Sequence, residues 1–239
     1  IFPAATVLAI AALGIWLWPR PADDVRPRLP GGDGRPDLNQ QRPEVVGELV
    51  TLDGQPGSDL GVWPCFRGED RSGIAHTSAT LARNFPDSGP PTIWLVQLGE
   101  GHAGPAIRHG RVYLLDYDRD AGQNVVRCLS LDDGSDIWQY RYNVKVKRNH
   151  GMSRTVPAVS EDHIVTLGPK CHVHCLDAVT GEMRWMIDLV RDFNATVPPW
   201  YAGQCPLIDG QRVILAPGGD ALMIAVDLSR GEVLWRTPN

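Results

Sequence analysis

Cys175–Trp185, with the sequence CLDAVTGEMRW, decides the fold because its pattern occurs three times in the chain. The other two copies are Cys128–Trp138 (CLSLDDGSDIW) and Ala225–Trp235 (AVDLSRGEVLW). In each copy a glycine stands four residues before the tryptophan, and the tryptophans counted from Trp94 are 44, 47 and 50 positions apart. A spacing that recurs in the same order indicates a structural repeat.

A second fixed spacing precedes each copy. A proline is followed seven residues later by a β-branched residue that opens an apolar run, at Pro105–Val112, Pro157–Ile164 and Pro206–Val213. Each repeat therefore predicts four short strands separated by turns. In the middle repeat the predicted strands are Thr155–Val159, His163–Leu167, Cys171–Asp177 and Glu182–Ile187.

Strands such as those in RVILA and ALMIAV are apolar at successive positions, which indicates burial on both faces. A four-stranded unit of 44–50 residues, covered on both sides by its neighbours, is typical of a propeller blade. We therefore predict an all-β fold, a β-propeller of four-stranded antiparallel blades with three repeats of an incomplete ring. The predicted order is a lead-in at 61–93 and blades at about 94–138, 139–185 and 186–235.

The repeated positions are predicted to be structural. A large flat indole closes the seam between adjacent blades, where its N–H meets a carbonyl, and glycine supplies the positive φ of the turn before it. Asp177 and Asp227 are expected to accept backbone N–H bonds in that turn, and Ser130 takes their place in the first repeat. The scaffold residues are Gly134, Gly181, Gly231, Trp138, Trp185 and Trp235.

These three stretches resemble the eleven-residue tryptophan-docking motif of PQQ-like propellers, a group that includes quinoprotein alcohol dehydrogenases and BamB-type assembly lipoproteins. The segment Trp63–Gly73 (WPCFRGEDRSG) is similar to a lead-in of uncharacterised bacterial members. The resemblance covers about Gly61–Asn239 and implies the fold, whereas activity depends on the site. Rings of this family close with seven or eight blades, so we expect the chain to be the front part of a longer protein with one blade face exposed.

Ile1–Trp18 is an apolar run without charge, and 18 residues of helix reach about 27 Å, close to one bilayer core. We predict a transmembrane signal anchor over residues 1–18, with a cleaved signal peptide and a buried core helix as alternatives. Pro19–Leu60 contains seven Pro and six Gly and no aromatic residue, which predicts a disordered tether. Within it, only Val45–Leu52 has the pattern of a strand. The propeller is expected to be membrane-anchored and extracytoplasmic, in the periplasm for a bacterial protein.

Composition excludes some classes of function. The net charge of −5 from 23 Lys and Arg against 28 Asp and Glu lacks the basic field that nucleic acid binding requires. Five Cys without a CxxC spacing indicate neither a disulfide framework nor a c-type haem site.

Cys171–Cys175 (CHVHC) contains good zinc ligands, but on a strand Cys171, Val173 and Cys175 point one way while His172 and His174 point the other. At about 3.3 Å per residue the two cysteines lie about 13 Å apart, too far for one tetrahedral centre. Cys175 also stands in the slot that holds Cys128 and Ala225 in the other repeats, so packing is the favoured interpretation. Asp116, Asp118 and Asp120 alternate as in a Ca²⁺ loop without completing its pattern, and are interpreted as a polar hairpin tip.

Two connections between repeats follow docking tryptophans, and both are expected to lie on the same rim of the propeller. Lys145–Arg154 is basic, and Arg191–Ala202 contains Trp200 and Tyr201. Together they offer a place for an acidic or sugar-like group, and ordinary solvated loops are the alternative.

We predict a non-catalytic module that binds protein, peptide or carbohydrate on the rim or an exposed blade edge. No catalytic, cofactor-binding or metal-ligating residue is predicted. The alternative from the resemblance is a quinoprotein oxidoreductase, which would need PQQ with Ca²⁺, a Cys-Cys pair and a catalytic Asp. The chain has no adjacent Cys-Cys pair.

Overall fold

Each repeated proline is followed at once by a short innermost strand, and each such strand opens one antiparallel sheet. This computed structural model describes residues 45–78, 80–147 and 152–239. The first strand is β1 (Gly47–Thr51), and the first sheet combines it with β2 (Ala106–Arg108), β3 (Arg111–Asp118), β4 (Gln123–Ser130) and β5 (Asp136–Asn143). The second comprises β6 (Ala158–Val159), β7 (His163–Leu167), β8 (His172–Asp177) and β9 (Met183–Asp188). The third comprises β10 (Leu207–Asp209), β11 (Arg212–Leu215), β12 (Ala221–Asp227) and β13 (Val233–Pro238).

The three sheets share one irregularity, a β-bulge immediately before each docking tryptophan. Cys128 pairs with Trp138 while Leu129 pairs with Asp136, so Ile137 is the extra residue. Arg184 and Leu234 are the extra residues in the second and third sheets. A bulge bends the strand and redirects the side chains that follow it. The three sheets are therefore equivalent around the docking tryptophan, as the repeat predicts.

The predicted turn chemistry is confirmed for the two aspartates. The Asp177 carboxylate accepts the backbone N–H groups of Val179 and Thr180, both at 2.8 Å. Asp227 accepts those of Ser229 and Arg230 at 3.0 and 2.8 Å. In the first sheet it is the Asp133 side chain that accepts a backbone N–H, that of Ser135 at 2.9 Å, while Ser130 takes part through its backbone carbonyl, which accepts the Gly134 N–H at 3.0 Å.

The first sheet differs from the expected four strands, because β1 adds to its outer edge. β1 pairs antiparallel with β5, from Gly47 opposite Tyr142 to Thr51 opposite Trp138. This strand lies within the segment that composition predicts as a tether, so the tether prediction is corrected over Gly47–Thr51. The edge of β5 satisfies the backbone groups of β1, and Leu49 packs into the neighbouring apolar cluster.

A short helix, α1 (Leu189–Phe193), departs from the purely β prediction. Asp188 caps its N-terminus by accepting the N–H groups of Val190 and Arg191, and Asn194 ends it in the left-handed conformation. Asp before an apolar turn and Asn after it are typical helix boundaries. The sequence DLVRDFN therefore contains the cap residues of a short helix, although the repeat pattern favours strands.

The apolar core lies in the seams between sheets. One cluster joins the first two sheets around Trp138 and Tyr142, and another joins the second and third around Trp185 and Val213. At the outer face of the first sheet, Trp94 packs against Leu114 and its neighbours. On the far side of the third sheet Trp235 is 41 % exposed, against 1 % for Trp138 and 8 % for Trp185. The expected exposed blade face is therefore present.

The predicted anchor over residues 1–18 lies outside the described residues, as does most of the tether. Within the part of the chain that the structure describes, no helix combines the length and apolar character needed to cross a bilayer. The division into anchor, tether and propeller otherwise stays a prediction.

Candidate functional site

The two connections predicted to share a rim do meet. The backbone N–H of Lys147 donates to the Tyr201 hydroxyl at 2.7 Å, and this hydroxyl donates to the Lys147 carbonyl at 3.1 Å. Residues 148–151 of the basic connection lie outside the described residues. Trp200 is largely exposed, whereas Tyr201 is half-buried. The phenol therefore fastens the aromatic connection to the basic one.

Beside this junction lies a cavity of about 690 Å³ at the entrances to the innermost strands. Pro105, Val156 and Cys205, which line it, stand within two residues of the starts of β2, β6 and β10. Its other lining side chains include Ile107 of β2, two aromatic rings and three nitrogen-bearing groups, the last two sets contributed by Trp63, Phe66, Arg67, His102 and Arg154. The segments that lead into all three sheets therefore line the cavity.

The WPCFRGEDRSG lead-in places the aromatic side of the cavity. Trp63 exchanges two backbone hydrogen bonds with Ile107 of β2, both 2.8 Å, and the Pro64 carbonyl accepts the Val159 N–H at 2.8 Å. Gly68 has a φ of +83°, and a Cβ there would lie 2.9 Å from the Trp63 ring. Glycine is therefore required for the turn that lets this ring lie against the backbone. The lead-in is thereby fixed to the first two sheets, with Phe66 and Arg67 at the cavity.

Arg154 is the most unusual group of the site. Its Nε atom is buried and has no hydrogen-bond partner among the described residues, and its Nη2 atom lies 3.5 Å from the Tyr201 carbonyl, at the outer limit of a hydrogen bond. Arg67 donates from Nη2 to the Ser72 carbonyl at 3.1 Å. In the described ranges, no carboxylate forms an ion pair with Arg67, His102 or Arg154. The cavity therefore has unused capacity to bind an anion.

Two half-buried cysteines accompany the cavity. Burial raises the pKa of Cys65 and of Cys205, which favours the protonated thiol. The Cys65 thiol donates to the Gly68 carbonyl at 3.0 Å, and Cys205 Sγ accepts the Val156 N–H at 3.3 Å. A nucleophilic cysteine needs the opposite, a lowered pKa. Both thiols therefore serve the local structure.

CHVHC is a packing element, as its repeat position indicates. Val173 and Cys175 face the third sheet, whereas His174 stacks on Tyr142 of the first sheet with ring centroids 4.4 Å apart. The predicted alternation of side chains is thus confirmed from His172 onward. Cys171 precedes the strand, with a φ of +69°. Burial raises the pKa of Cys175 to about 12, so its thiol stays protonated.

The interpretation of the aspartate run as a hairpin tip is wrong for Asp116. This residue is buried in β3, and its Oδ2 atom lies 3.3 Å from Nη1 of Arg127. Arg127 also donates from Nε and Nη2 to the two carboxylate oxygens of Asp136, at 3.0 and 2.7 Å. Asp120 alone stands in the turn, while Asp118 ends the strand and accepts the Ala121 N–H at 2.9 Å. The pairing of β3 with β4 brings Arg127 beside Asp116. The local spacing of the aspartates does not show this partner.

The cavity does not fit the calcium part of a PQQ–Ca²⁺ site. Ca²⁺ takes oxygen ligands from carboxylates, amides and carbonyls. Among the described residues that line the cavity, none is Asp, Glu, Asn or Gln. Its guanidinium groups suit an anion instead.

Residues 122–239, which include most of the three sheets, match the family model described as outer membrane protein assembly factor BamB, a model of PQQ-like repeats. This match agrees with the resemblance to PQQ-like, BamB-like propellers that the tryptophan-docking motif carries. The fold expected from the tryptophan-docking motif is thereby confirmed. A comparison with curated protein sequences found no match.

Solved structures similar to this PQQ-like segment include both enzymes and an assembly factor. A europium-containing methanol dehydrogenase is 20% identical with a TM-score of 0.41, over 58% of this chain and 25% of the other. Quinohemoprotein alcohol dehydrogenase from Comamonas testosteroni is 20% identical with a TM-score of 0.43, over 59% and 21%. BamB from Moraxella catarrhalis is 17% identical with a TM-score of 0.42, over 61% and 43%. The PQQ-like segment thus corresponds to less than half of each of these proteins.

The sequence predicted the neighbourhood of this site but not its central residues. The sequence predicts that Lys145–Arg154 and Arg191–Ala202 lie on one rim. The first contributes Arg154 to the cavity, and the second ends one residue before Gly203, which lines it. His102 and Arg67 were not singled out, although Arg67 belongs to the quoted lead-in. The signal in the sequence is that two aromatic residues, Trp63 and Phe66, precede Arg67, which is followed at once by glycine.

Proposed function

We propose that this propeller is a non-catalytic binding module whose cavity receives a carboxylate of a protein or peptide ligand. The observation that carries the proposal is the presence of two guanidinium groups, those of Arg67 and Arg154, in the lining of an aromatic cavity without an ion pair to any described carboxylate. A ligand carboxylate in the cavity would give these groups a charge-assisted hydrogen-bond partner.

The lining chemistry favours a peptide over a neutral sugar. Arginine and the aromatic residues are the side chains enriched at protein interfaces and among their energetic hot spots. Phe66 is 56 % exposed beside the cavity, which leaves its ring available to an apolar ligand side chain. An acidic residue or C-terminal carboxylate next to an apolar side chain matches this combination of groups.

The family supports a role with a protein partner. The matching model is described as an assembly factor of the outer membrane, which is a function performed on other proteins. We extend to this chain the general feature, recognition of a protein ligand by a propeller. The proposal keeps the predicted placement, a propeller held outside the cytoplasm by a membrane anchor at residues 1–18.

The binding proposal is tested with labelled hexapeptides that end in Glu-Phe, prepared with a free C-terminal carboxylate and as the C-terminal amide. Fluorescence anisotropy against the full 239-residue chain is expected to show tighter binding of the free acid. Arg154→Met should weaken this binding at least tenfold, while Arg212→Met, which removes an exposed arginine paired with Asp209, should not. Equal binding of acid and amide, or an unchanged affinity of R154M, would overturn the proposal.

The quinoprotein alternative has its own measurement. PQQ and Ca²⁺ are added to the protein, and both the cofactor absorbance and dye-linked alcohol oxidation are followed. We expect no turnover from a binding module. Stoichiometric cofactor binding together with turnover would replace our proposal with an oxidoreductase.

The location is tested separately by protease treatment of intact spheroplasts that express the chain with a C-terminal tag. Loss of the tag signal without lysis is the expected result for an anchored, extracytoplasmic propeller. Protection of the tag until lysis would contradict the predicted placement and leave the binding experiment unaffected.

A further inference from the structure

The seam between the first and second sheets contains a strand that the repeat itself does not supply. β1 lies there against the outer edge of β5, and Leu49 Cδ1 is 2.8 Å from the position of a Cβ on Gly181. The N–H of Gly47 donates to the Tyr140 hydroxyl at 3.0 Å, which in turn lies 3.1 Å from Met183 Sδ. β1 therefore fills the groove between the two sheets as well as extending one of them.

The next seam, between the second and third sheets, has an open cavity of about 620 Å³ in the equivalent place. The repeat register relates its lining to the groove that β1 occupies. Ile187, Gly231 and Val233 line this cavity at the positions that Tyr140, Gly181 and Met183 hold in the first seam. We call this cavity, lined by Ile187, Phe193, Gly231, Val233, Leu234 and Trp235 among others, the second seam groove.

β9, the strand beside the second seam groove, has an edge to which another strand can be added. In the described part of the chain, β9 is the outermost strand of its sheet and pairs with β8 alone. In the first sheet, the bulge residue Ile137 turns its carbonyl outward and accepts the Leu52 N–H at 2.9 Å. Arg184 is the corresponding bulge residue of β9, so its backbone faces the same way.

The β9 edge that can accept another strand is short. The N–H of Asp188, which alternation also turns outward, is already accepted by Asp192 Oδ2 of α1 at 3.0 Å. The helix thus closes one end of the edge, while Met183 and Arg184 remain exposed at the other. A short extended segment fits this edge, whereas a long strand would meet α1.

We propose that the second seam groove binds an extended segment of a partner protein by strand addition to β9. The segment would seat a branched aliphatic side chain against Gly231, as Leu49 is seated against Gly181. Main-chain hydrogen bonds provide affinity in this mode of recognition, and side chains at alternate positions provide specificity. This site is separate from the cavity at Arg154 and does not depend on the function proposed for that cavity.

The probe is a fluorescein-labelled peptide with the sequence of residues 45–53, VVGELVTLD, because this segment fits the equivalent groove. Anisotropy titrations with the full chain are expected to show saturable binding. Val233→Lys places a charge in the groove at a half-exposed position and should weaken binding at least tenfold. Leu222→Lys, a change at an exposed apolar residue of β12 in the same sheet, is the matched control and should leave the affinity unchanged.

A second peptide tests whether the backbone takes part. N-methylation at the position of Val50 removes an amide that points toward the neighbouring strand, and it should abolish binding if strand addition is correct. Binding that survives N-methylation, or that V233K leaves unchanged while its far-ultraviolet circular dichroism matches that of the parent, overturns the proposal. The latter result would instead indicate exchange with β1 in the first seam.

Discussion

The indole of Trp138 lies against Gly181 of the next sheet so closely that a Cβ atom on Gly181 would be 2.6 Å from Trp138 Cδ2. Trp94 has the same relation to Gly134 at 2.6 Å, and Trp185 to Gly231 at 2.7 Å. Each glycine also has a positive φ, between 72° and 79°. Each tryptophan therefore packs on the glycine of the following repeat. The repeated spacing of glycine and tryptophan reflects this contact between neighbouring sheets.

Gly181→Ala should destabilise the protein more than Gly210→Ala. Both glycines have a positive φ, but a Cβ on Gly210 would meet nothing within 4 Å. The left-handed conformation costs about 1–2 kcal/mol in both variants. Overpacking against Trp138 should add about 1–3 kcal/mol at position 181 alone. Urea unfolding of the two variants measures the difference, and equal losses would show that the seam absorbs the methyl group.

Trp185→Phe should cost about 1 kcal/mol more than Trp138→Phe. The Trp185 indole N–H donates to the Leu228 carbonyl at 2.7 Å, whereas Trp138 Nε1 is buried without a partner. The reason is visible in the first seam, where the equivalent carbonyl, that of Ala178, accepts the Tyr113 hydroxyl at 3.0 Å. Free energies of unfolding from denaturant titrations provide the comparison. The reverse order would mean that packing outweighs the hydrogen bond.

Stability should fall as the pH falls below about 6.5, and His174 should account for part of the fall. Burial, with a smaller contribution from nearby His172, lowers the pKa of His174 to about 3. The unfolded chain therefore binds a proton on this residue at a higher pH than the folded chain does. The stabilisation is complete above the unfolded pKa and is lost toward pH 3, by up to about 1.4 kcal/mol per pH unit.

The matched variant is His174→Leu, which removes the titrating group and keeps an apolar side chain beside Tyr142. Its unfolding free energy should depend less steeply on pH between 6 and about 4 than that of the parent. Parallel pH profiles for the two proteins would show that other groups cause the acid lability.

Arg127→Met should cost about 3–5 kcal/mol, because it leaves the carboxylates of Asp116 and Asp136 without their shared cation. Arg212→Met breaks an exposed ion pair with Asp209 and should cost less than about 1 kcal/mol. Thermal and urea unfolding of both variants test the contrast. A small effect of R127M would indicate that water reaches the two carboxylates.

Much of the architecture was predictable, because the residues that close each turn and seam recur at short, fixed spacings. Asp177 and Gly181 illustrate this, since their contacts lie within one hairpin and between successive repeats. The position of β1 was not predictable, since nothing in GELVT specifies that its partner is β5, 87 or more residues later. Trp138 Nε1 has no acceptor among the described residues because Tyr113 already donates to the Ala178 carbonyl. Tyr113 lies outside the repeated motif, so the motif alone does not predict this.

The candidate site was likewise predictable only in part. The sequence placed a basic connection and an aromatic connection on one rim, and the bond between Lys147 and Tyr201 confirms their contact. The cavity itself requires the lead-in, the first connection and the starts of three innermost strands to meet. Such contacts join residues far apart in the chain, and local periodicity carries no information about them.

By itself, the sequence determined the repeat, the order of the four repeated strands within each sheet, the aspartates of two turns and the position of every docking tryptophan. These properties follow from backbone preference and from the burial of side chains a few residues apart. Only the tertiary structure decided that Arg154 lacks an acceptor, that β1 fills one seam and that the next seam is open. The physical reason is that hydrogen-bond satisfaction and cavity filling depend on which distant segments meet, and that is set by packing over the whole chain.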